Sequence, residues 1–200
     1  MPGPALTEAD RETIRNKLIE LCKHHWTAKG YKKTSIQELC ADAKIGISTF
    51  YSLYPAKEDL FRDTTFAVRD QLEKRFIDTF QRNPTIEGFA QALKEINREH
   101  DKIPFTYDVN TPDFLSFITK LSEEAMEELK SNSIESAKKL IRLTNLKYKI
   151  DEQKAFGVLN ALMHTIDAKE SISEIFDYFT VFDFMVDSLI PDIFEEERET

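Results

Sequence analysis

The side chains most suited to catalytic chemistry are few in this chain of 200 residues, and they are not spaced for it. The four histidines form neither a metal-ligand spacing nor a nucleophile–base pair. They are His24, His25, His100 and His164. The sequence contains no Cys-x-x-Cys pair, no glycine-rich phosphate loop and no paired Glu-x-x-His motifs of the kind that a di-iron bundle needs. We therefore predict a protein that is not an enzyme and that uses no metal or cofactor.

Chemistry of another kind, the recognition of phosphates and bases, is indicated by the segment from Gly30 to Phe61. It reads GYKKTSIQELCADAKIGISTFYSLYPAKEDLF. Ser35 and Glu38 form a capping box for a short helix over residues 35–43, residues 44–46 form a tight turn, and a third helix runs over 47–53. Two short helices joined by a three-residue turn and packed on a longer first helix make a helix-turn-helix, whose second helix fits the major groove of DNA.

The distribution of charge permits this interpretation. The net charge is -9, but residues 1–61 carry nine Lys and Arg against eight Asp and Glu, whereas residues 62–200 carry eighteen against twenty-eight. Between Lys29 and Lys57 there are five lysines against Glu38 and Asp42. A local positive patch is enough for phosphate contacts, because these act over a short range in salt. Uneven charge on a solvated surface would give the same counts.

The hydrophobic pattern is helical almost throughout, which predicts an all-α protein. Thr7 and Asp10 cap a first helix over about 8–29, and Gly30 suits the left-handed residue that ends it. Further helices are expected over 57–81, 85–100, 112–145 with a possible break at 131–133, and 151–168. A last helix is expected from a capping box of Ser171 and Glu174 to Pro191. We predict two domains, a helix-turn-helix over residues 1–56 and a helical domain over 57–200.

The expected location is a reducing cytoplasm. The two cysteines, Cys22 and Cys40, lie inside helical patterns and do not make a secreted disulfide framework. Residues 1–5 lack the charged and apolar regions of a signal peptide. No run of about 18 apolar residues is present, so no membrane span is predicted.

The segment also resembles the DNA-binding domain of the TetR (tetracycline-repressor-like) family. The resemblance covers about 45 residues, with Trp26 at the family's usual aromatic position in the first helix. The matching residues are Gly30-Tyr31, Thr34-Ser35, Ile36, Leu39, Ala43, Thr49-Phe50-Tyr51, Tyr54 and Lys57-Glu58-Asp59-Leu60. Two positions depart from the family pattern: Lys44 replaces the usual turn glycine, and Gly46 replaces the usual serine cap of the recognition helix.

The resemblance implies roles for individual side chains in binding double-stranded operator DNA. Thr34 and Ser35 are expected to contact phosphate through hydroxyl and backbone N–H groups. Tyr51 and Lys57 match the family's phosphate contacts, although a core tyrosine and a helix-capping lysine remain alternatives. Lys44 adds charge beside the groove, and Gly46 is an acceptable N-cap. The expected base readers are Ile47, Ser48 and Ser52, with Ile47 suited to a thymine methyl group.

The family's C-terminal helices dimerise and bind a small effector, and we expect the same of this chain. Apolar residues in alternating three- and four-residue steps predict a homodimer seam in the last helix, and Gly157 and Ala161 permit a close helix crossing. Packing within one subunit is the alternative. The predicted seam consists of Ile172, Ile175, Phe179, Phe182, Val186 and Leu189.

The pocket for a small apolar effector is predicted from the many phenylalanines and their apolar neighbours, although a plain core explains most of them equally well. The predicted apolar lining is Phe66, Phe89, Phe105, Tyr107, Phe114, Phe117, Ile118, Met126, Leu140 and Leu143. The predicted polar groups are Asn97, Arg98, His100 and His164.

Together these features predict a ligand-responsive repressor that binds a palindromic operator as a homodimer, without a membrane partner. The alternative is an adaptor of the same fold that acts by docking another protein, which the acidic, Phe-rich C-terminal half would favour.

Overall fold

The structure is a computed structural model that describes residues 6–106 and 111–195. The predicted pocket residue Tyr107 and the N-terminal residues 1–5 lie outside these ranges. The described helices are α1 (Glu8–Lys33), α2 (Ile36–Ala43), α3 (Ile47–Leu53), α4 (Lys57–Arg82), α5 (Ile86–Asp101), α6 (Pro112–Ile118), α7 (Glu123–Arg142), α8 (Glu152–His164), α9 (Lys169–Ser173) and α10 (Tyr178–Ile193). Short 3₁₀ turns cover Pro104–Thr106 and Thr165–Ala168. The all-α prediction is confirmed.

Two residue pairs form a minimal antiparallel sheet. Strand β1 (Lys147–Tyr148) pairs with β2 (Phe194–Glu195), with Lys147 opposite Glu195 and Tyr148 opposite Phe194. Within the described ranges, no helix is both long enough and apolar enough to cross a membrane.

Side-chain caps form at four of the helix starts that the sequence predicts. The capping boxes of Thr7 with Asp10 and of Ser35 with Glu38 are both formed, and Thr85 and Asp151 cap α5 and α8 where the helices over 85–100 and 151–168 are predicted to begin. The regular geometry of α1 breaks at Gly30, as predicted, and one further turn follows to Lys33. The possible break at 131–133 is wrong, since α7 is continuous.

The end of the chain differs from the prediction. Ser171 and Glu174 do not start the last helix, because α9 ends at Ser173 and α10 begins only at Tyr178, with Asp177 as its N-cap. The Asp177 carboxylate accepts a hydrogen bond from the Thr180 N–H at 2.8 Å. The helix predicted to reach residue 168 likewise changes to a 3₁₀ turn after His164.

The contacts divide the chain into two compact units. The first contains residues 1–69 and 109–126, and the second contains residues 70–108 and 127–200. The two-domain assignment of 1–56 and 57–200 stays a prediction, whereas packing groups α6 and the first half of α4 with the N-terminal helices. In the first unit, an aromatic cluster forms the core: Trp26, Tyr31, Phe61, Phe114 and Phe117.

The second unit is built on the packing of α5 against α10. The buried face of α10 consists of Tyr178, Phe182, Val186, Ile190 and Ile193. At the edge of this contact, Arg98 makes a two-pronged ion pair with Asp183, and Lys94 pairs with Asp187 at 2.6 Å. Planar guanidinium–carboxylate pairs fix orientation as well as distance, so α10 has a defined register on α5.

Candidate nucleic-acid interface

The helix-turn-helix is formed as the sequence predicted. Helices α2 and α3 are joined through Lys44, Ile45 and Gly46. Lys44 adopts the left-handed conformation, with φ 60° and ψ 44°, at the position where the family has glycine. This conformation is unfavourable for a residue with a Cβ atom. Gly46 is the N-cap of α3, without a side-chain capping bond.

Two basic side chains of α1 hold the ends of the short helices. The Lys17 ammonium donates a hydrogen bond to the Ala43 carbonyl at 2.8 Å, and the Arg11 guanidinium donates to the Ser52 carbonyl at 3.3 Å. Both carbonyls lie at helix C-termini, where unpaired acceptors and the helix dipole favour a cation. No motif in the sequence points to these two residues, and only the spacing of basic residues along α1 hints at them.

One face of α3 is exposed and uncharged. Ile47 is 46% exposed and Tyr51 is 52% exposed, whereas Phe50 and Leu53 are buried. Ser48 and Ser52 are also exposed, and the Ser52 hydroxyl donates to the Thr49 carbonyl. The structure thus brings together on one surface the four residues predicted to contact DNA from α3. The alternative that Tyr51 is a core tyrosine is wrong.

Thr34 and Ser35 are used differently from the prediction. Thr34 is 1% exposed, and its hydroxyl donates to the Gly30 carbonyl at 2.8 Å. The prediction that this hydroxyl contacts phosphate is therefore wrong. The Ser35 hydroxyl and backbone N–H both donate to the Glu38 carboxylate. Donation by Lys29 and Ser35 lowers the pKa of Glu38 to about 2. A carboxylate therefore occupies the helix start where a phosphate was predicted.

Lys57 is also engaged within the protein. Its ammonium donates to the Tyr31 carbonyl at 2.6 Å and lies 4.0 Å from the centre of the Tyr31 ring. Burial lowers the pKa of Lys57, opposed by the nearby Glu58 carboxylate. This geometry corresponds to the helix-capping alternative, because the acceptor is a carbonyl near the C-terminus of α1. A phosphate contact by Lys57 would require the ammonium to leave these partners or to share them.

The residues predicted to line one effector pocket are divided between the two units. Phe114 and Phe117 pack on Trp26 in the core of the first unit. The first unit also contains Phe66, Ile118 and Met126. The second unit contains the others that are described: Phe89, Asn97, Arg98, His100, Phe105, Leu140, Leu143 and His164.

Several of these roles need correction, because the side chains already have partners in their own unit. Phe89 is buried between Phe76 and Phe194. His164 is exposed and contacts Asp167 at 3.2 Å, which is a surface pair. The Asn97 amide donates to the Tyr178 hydroxyl at 3.0 Å, and among the described residues its own oxygen has no hydrogen-bond partner. Burial and the neighbouring His164 lower the pKa of His100 to about 4.

An apolar cavity of about 270 Å³ lies elsewhere in the second unit. Its lining consists of Phe76, Ile77, Phe80, Gln81, Pro84, Leu140, Leu143, Thr144 and Asn145. Leu140 and Leu143 are the two predicted pocket residues that reach it, among the residues that the structure describes.

The predicted dimer seam is divided between the interior and the surface. Phe182 and Val186 are completely buried within the chain, so their assignment to a dimer interface is wrong. Ile175 is 89% exposed, and Leu189, Gly157 and Ala161 are exposed as well. Ile172 and Phe179 are partly buried. Phe176 and Phe184, which lie off the predicted seam, are strongly exposed, with Phe184 at 72%.

The fold and the exposed face of α3 define a helix-turn-helix protein of the nucleic-acid-binding type. Residues 23–64 match the family model of bacterial regulatory proteins of the tetR family. The chain is 26% identical over 134 residues to YuxN of Bacillus subtilis (strain 168), an uncharacterized HTH-type transcriptional regulator. That match covers 67% of this chain and 42% of the relative. Over residues 23–64 the chain is thus similar to the regulatory proteins of the tetR family.

Solved structures have the same fold. A protein from Saccharomonospora viridis, crystallised as a transcriptional regulator in complex with choline, has a TM-score of 0.59 at 11% identity, covering 92% of this chain and all of that one. NalD of Pseudomonas aeruginosa, the secondary repressor of the MexAB-OprM multidrug efflux pump, has a TM-score of 0.53 at 16% identity, covering 94% of this chain and 98% of that one.

Proposed function

We propose that this chain is a ligand-responsive repressor that binds a palindromic operator as a homodimer. The observation that carries the DNA-binding part is the exposed, uncharged face of α3, presented by a unit in which Lys17 and Arg11 fix the ends of α2 and α3. Such a helix enters the major groove and reads base edges.

The reading surface favours apolar and hydroxyl contacts over charged ones. Ile47 suits a thymine methyl group, while the hydroxyls of Ser48 and Ser52 suit base edges, and Tyr51 suits a phosphate. Because α3 itself has no basic residue, attraction to phosphates comes from exposed lysines nearby, such as Lys32, Lys33 and Lys44. We expect few ionic contacts and therefore a shallow salt dependence. The salt slope, the fall of log K with log salt concentration, is about 0.9 for each phosphate neutralised.

The exposed apolar face of the second unit supports assembly with a second copy of the chain. Helix α8 packs against α10, and both leave apolar or small residues uncovered. Ile175, Phe176, Phe184 and Leu189 are exposed large apolar residues of the second unit, the last two on α10. Among the described residues, nothing lies within 4 Å of a Cβ built at Gly157, which permits a close approach. A two-fold dimer presents two recognition helices, which requires two half-sites of opposite orientation.

A small apolar effector is supported by the cavity of the second unit. The walls are contributed mainly by Phe76, Phe80, Leu140 and Leu143, so the preferred ligand is apolar. The S. viridis neighbour was crystallised with choline, which makes ligand binding on this fold a reasonable expectation for the present chain.

The DNA-binding proposal is tested by selecting bound sequences from a pool of random-sequence duplexes. We expect recovery of an inverted repeat, and the best-bound sequence is called the selected duplex below. Tyr51→Phe should weaken its binding, whereas Tyr148→Phe, which lies in the second unit, should not. Recovery of no preferred sequence, together with no binding at about 50 mM salt, would refute the proposal.

The dimer is tested by placing a charge on its surface. Phe184→Glu should produce monomers in analytical ultracentrifugation at low micromolar concentration, because an unpaired carboxylate would be buried in the interface. Leu115→Glu also replaces an exposed apolar side chain by a carboxylate, but in the first unit, and should leave the dimer intact. A dimeric Phe184→Glu variant would mean that the interface lies elsewhere.

The effector site is tested by thermal shift with a panel of small apolar compounds. A ligand that binds the folded state raises the unfolding temperature with its concentration. Leu143→Lys changes the exposed side of the cavity and should abolish this shift while leaving the unliganded protein folded. A ligand whose effect survives Leu143→Lys binds at another site.

A further inference from the structure

A carboxylate from a distant part of the sequence is bound by the C-terminal end of α1. Asp113, in the first turn of α6, accepts hydrogen bonds from the backbone N–H of Tyr31 at 2.6 Å and from that of Lys32 at 3.3 Å. The indole N–H of Trp26 donates to the same carboxylate at 3.3 Å. Hydrogen bonds from several donors to one carboxylate are charge-assisted and direct its position closely.

Gly30 shapes the backbone for this carboxylate. Its φ is +84°, and a Cβ atom at this position would lie 2.7 Å from Asp113 Oδ1. The glycine thus allows the following N–H groups of Tyr31 and Lys32 to converge on one acceptor, as in other backbone anion sites. Here the anion is supplied by the chain itself.

The backbone of Tyr31 is held through both of its polar groups. Its N–H donates to Asp113, and its carbonyl accepts from the Lys57 ammonium at 2.6 Å. Trp26 packs against Phe114 and Phe117 of α6, with ring centres 6.2 and 5.2 Å apart. Helix α6 is thereby fixed to the end of α1 by both polar and aromatic contacts.

This corner leads directly into the helix-turn-helix. The Thr34 N–H and hydroxyl both bind the Gly30 carbonyl, and Ser35 then caps α2. We infer that Asp113 is a positioning residue for DNA binding, which fixes the Gly30–Lys32 corner and, through it, the start of α2. The inference rests on the proposed DNA-binding function and goes beyond it by making α6 a working part of the DNA-binding unit.

The effect of removing the Asp113 charge distinguishes positioning from simple electrostatics. Loss of a negative charge from a DNA-binding unit strengthens phosphate attraction and raises DNA affinity. Loss of a positioning contact lowers affinity instead, because α2 and α3 then sample orientations that do not fit the groove. The two mechanisms therefore predict opposite signs for the same substitution.

The first experiment measures binding of full-length Asp113→Asn to the selected duplex over a salt series. An asparagine of the same size turns one donor group toward N–H groups that need an acceptor. We expect affinity to fall about tenfold with an unchanged salt slope. Glu123→Gln removes an exposed carboxylate from the first turn of α7 and should keep or slightly raise affinity. A rise for Asp113→Asn like that of Glu123→Gln would overturn the inference.

The second experiment does not depend on DNA and also separates positioning from a loss of packing. Backbone hydrogen exchange in Asp113→Ala should increase at Tyr31, Lys32 and Thr34, while Leu39 in α2 keeps its protection. Sodium acetate, compared with sodium chloride at equal ionic strength, should restore both the protection and the DNA affinity by supplying the missing carboxylate.

The outcomes distinguish the two proposals. Unchanged exchange at Tyr31 and Lys32 in Asp113→Ala, or no response to acetate, would overturn the positioning role even if the wild-type chain binds DNA. Increased exchange together with no DNA binding by the wild-type chain would instead refute the proposed function.

Discussion

Replacing Lys57 by methionine separates its structural role from a contact with DNA. Methionine keeps an apolar stem of similar length and removes the ammonium that donates to the Tyr31 carbonyl at 2.6 Å and lies 4.0 Å from the Tyr31 ring centre. A hydrogen bond to a charged group contributes about 1.5–3 kcal/mol, and a partly exposed cation–π contact about 0.5–1 kcal/mol.

Two features of the structure reduce the net loss. Burial of the ammonium is unfavourable, as its lowered pKa indicates, and methionine relieves this cost. The Tyr31 carbonyl also keeps a second donor, the Thr34 N–H at 3.3 Å. We therefore expect a net destabilisation of about 1–2 kcal/mol, which lowers the unfolding temperature of a chain of this size by about 2–8 °C.

The assay is thermal and urea unfolding followed by circular dichroism, with Lys33→Met as the control. Lys33 is an exposed lysine at the end of α1, and its replacement should leave stability unchanged. If Lys57 acts only on DNA, its replacement would lower the salt slope of DNA binding by about one and leave unfolding unchanged. An unchanged unfolding temperature for Lys57→Met would refute the structural role.

Three further predictions concern backbone conformation and pH. Lys44→Gly should raise the free energy of unfolding by about 1 kcal/mol, because φ 60° is unfavourable for lysine. Ala41→Gly, inside α2, is the control and should lower the free energy of unfolding by a similar amount. If both variants lower it equally in urea unfolding, the backbone at Lys44 is not strained. Gly30→Ala should destabilise the fold by about 2 kcal/mol or more, because the new Cβ atom would lie 2.7 Å from Asp113 Oδ1. In an Asp113→Ala background this oxygen is absent, so a double-mutant cycle should show a smaller loss. His100 has a folded pKa of about 4, so between that pH and its ordinary value of 6.5 the unfolded chain binds more protons, and stability falls as the pH drops through this interval by at most about 3 kcal/mol. His100→Gln should flatten the dependence of the unfolding temperature on pH, and an unchanged slope would show that other groups cause it.

The sequence by itself determined the local features of the DNA-binding unit. The Thr7 and Ser35 capping boxes and the Gly46 N-cap involve groups within three or four residues of one another, so a pattern in the sequence is nearly the whole physical cause. The exposed and buried faces of α3 follow from helical periodicity in the same way. Lys44 occupies the turn position where the family pattern has glycine, and its φ is left-handed.

The partners of the polar groups were decided by tertiary structure alone. Lys57 and Thr34 lie where the family motif predicts, but their donors bind the carbonyls of Tyr31 and Gly30. Asp113 reaches Tyr31 across 82 residues of sequence, and no local pattern indicates that pairing. A side chain that contacts a partner far along the chain is specified by the packing of both helices, which the sequence determines only collectively.

The last helix illustrates the same limit for apolar residues. The sequence predicts one helix from Ser171, but α9 ends at Ser173 and α10 begins only at Tyr178. Within α10, Phe182 and Val186 are buried in the core of the chain, whereas Phe184 is exposed. Periodicity identifies an apolar stripe without saying whether its partner is the same chain or a second copy. That choice depends on which other helix covers the stripe, and only the tertiary structure decides it, because burial within the chain removes a side chain from any external surface.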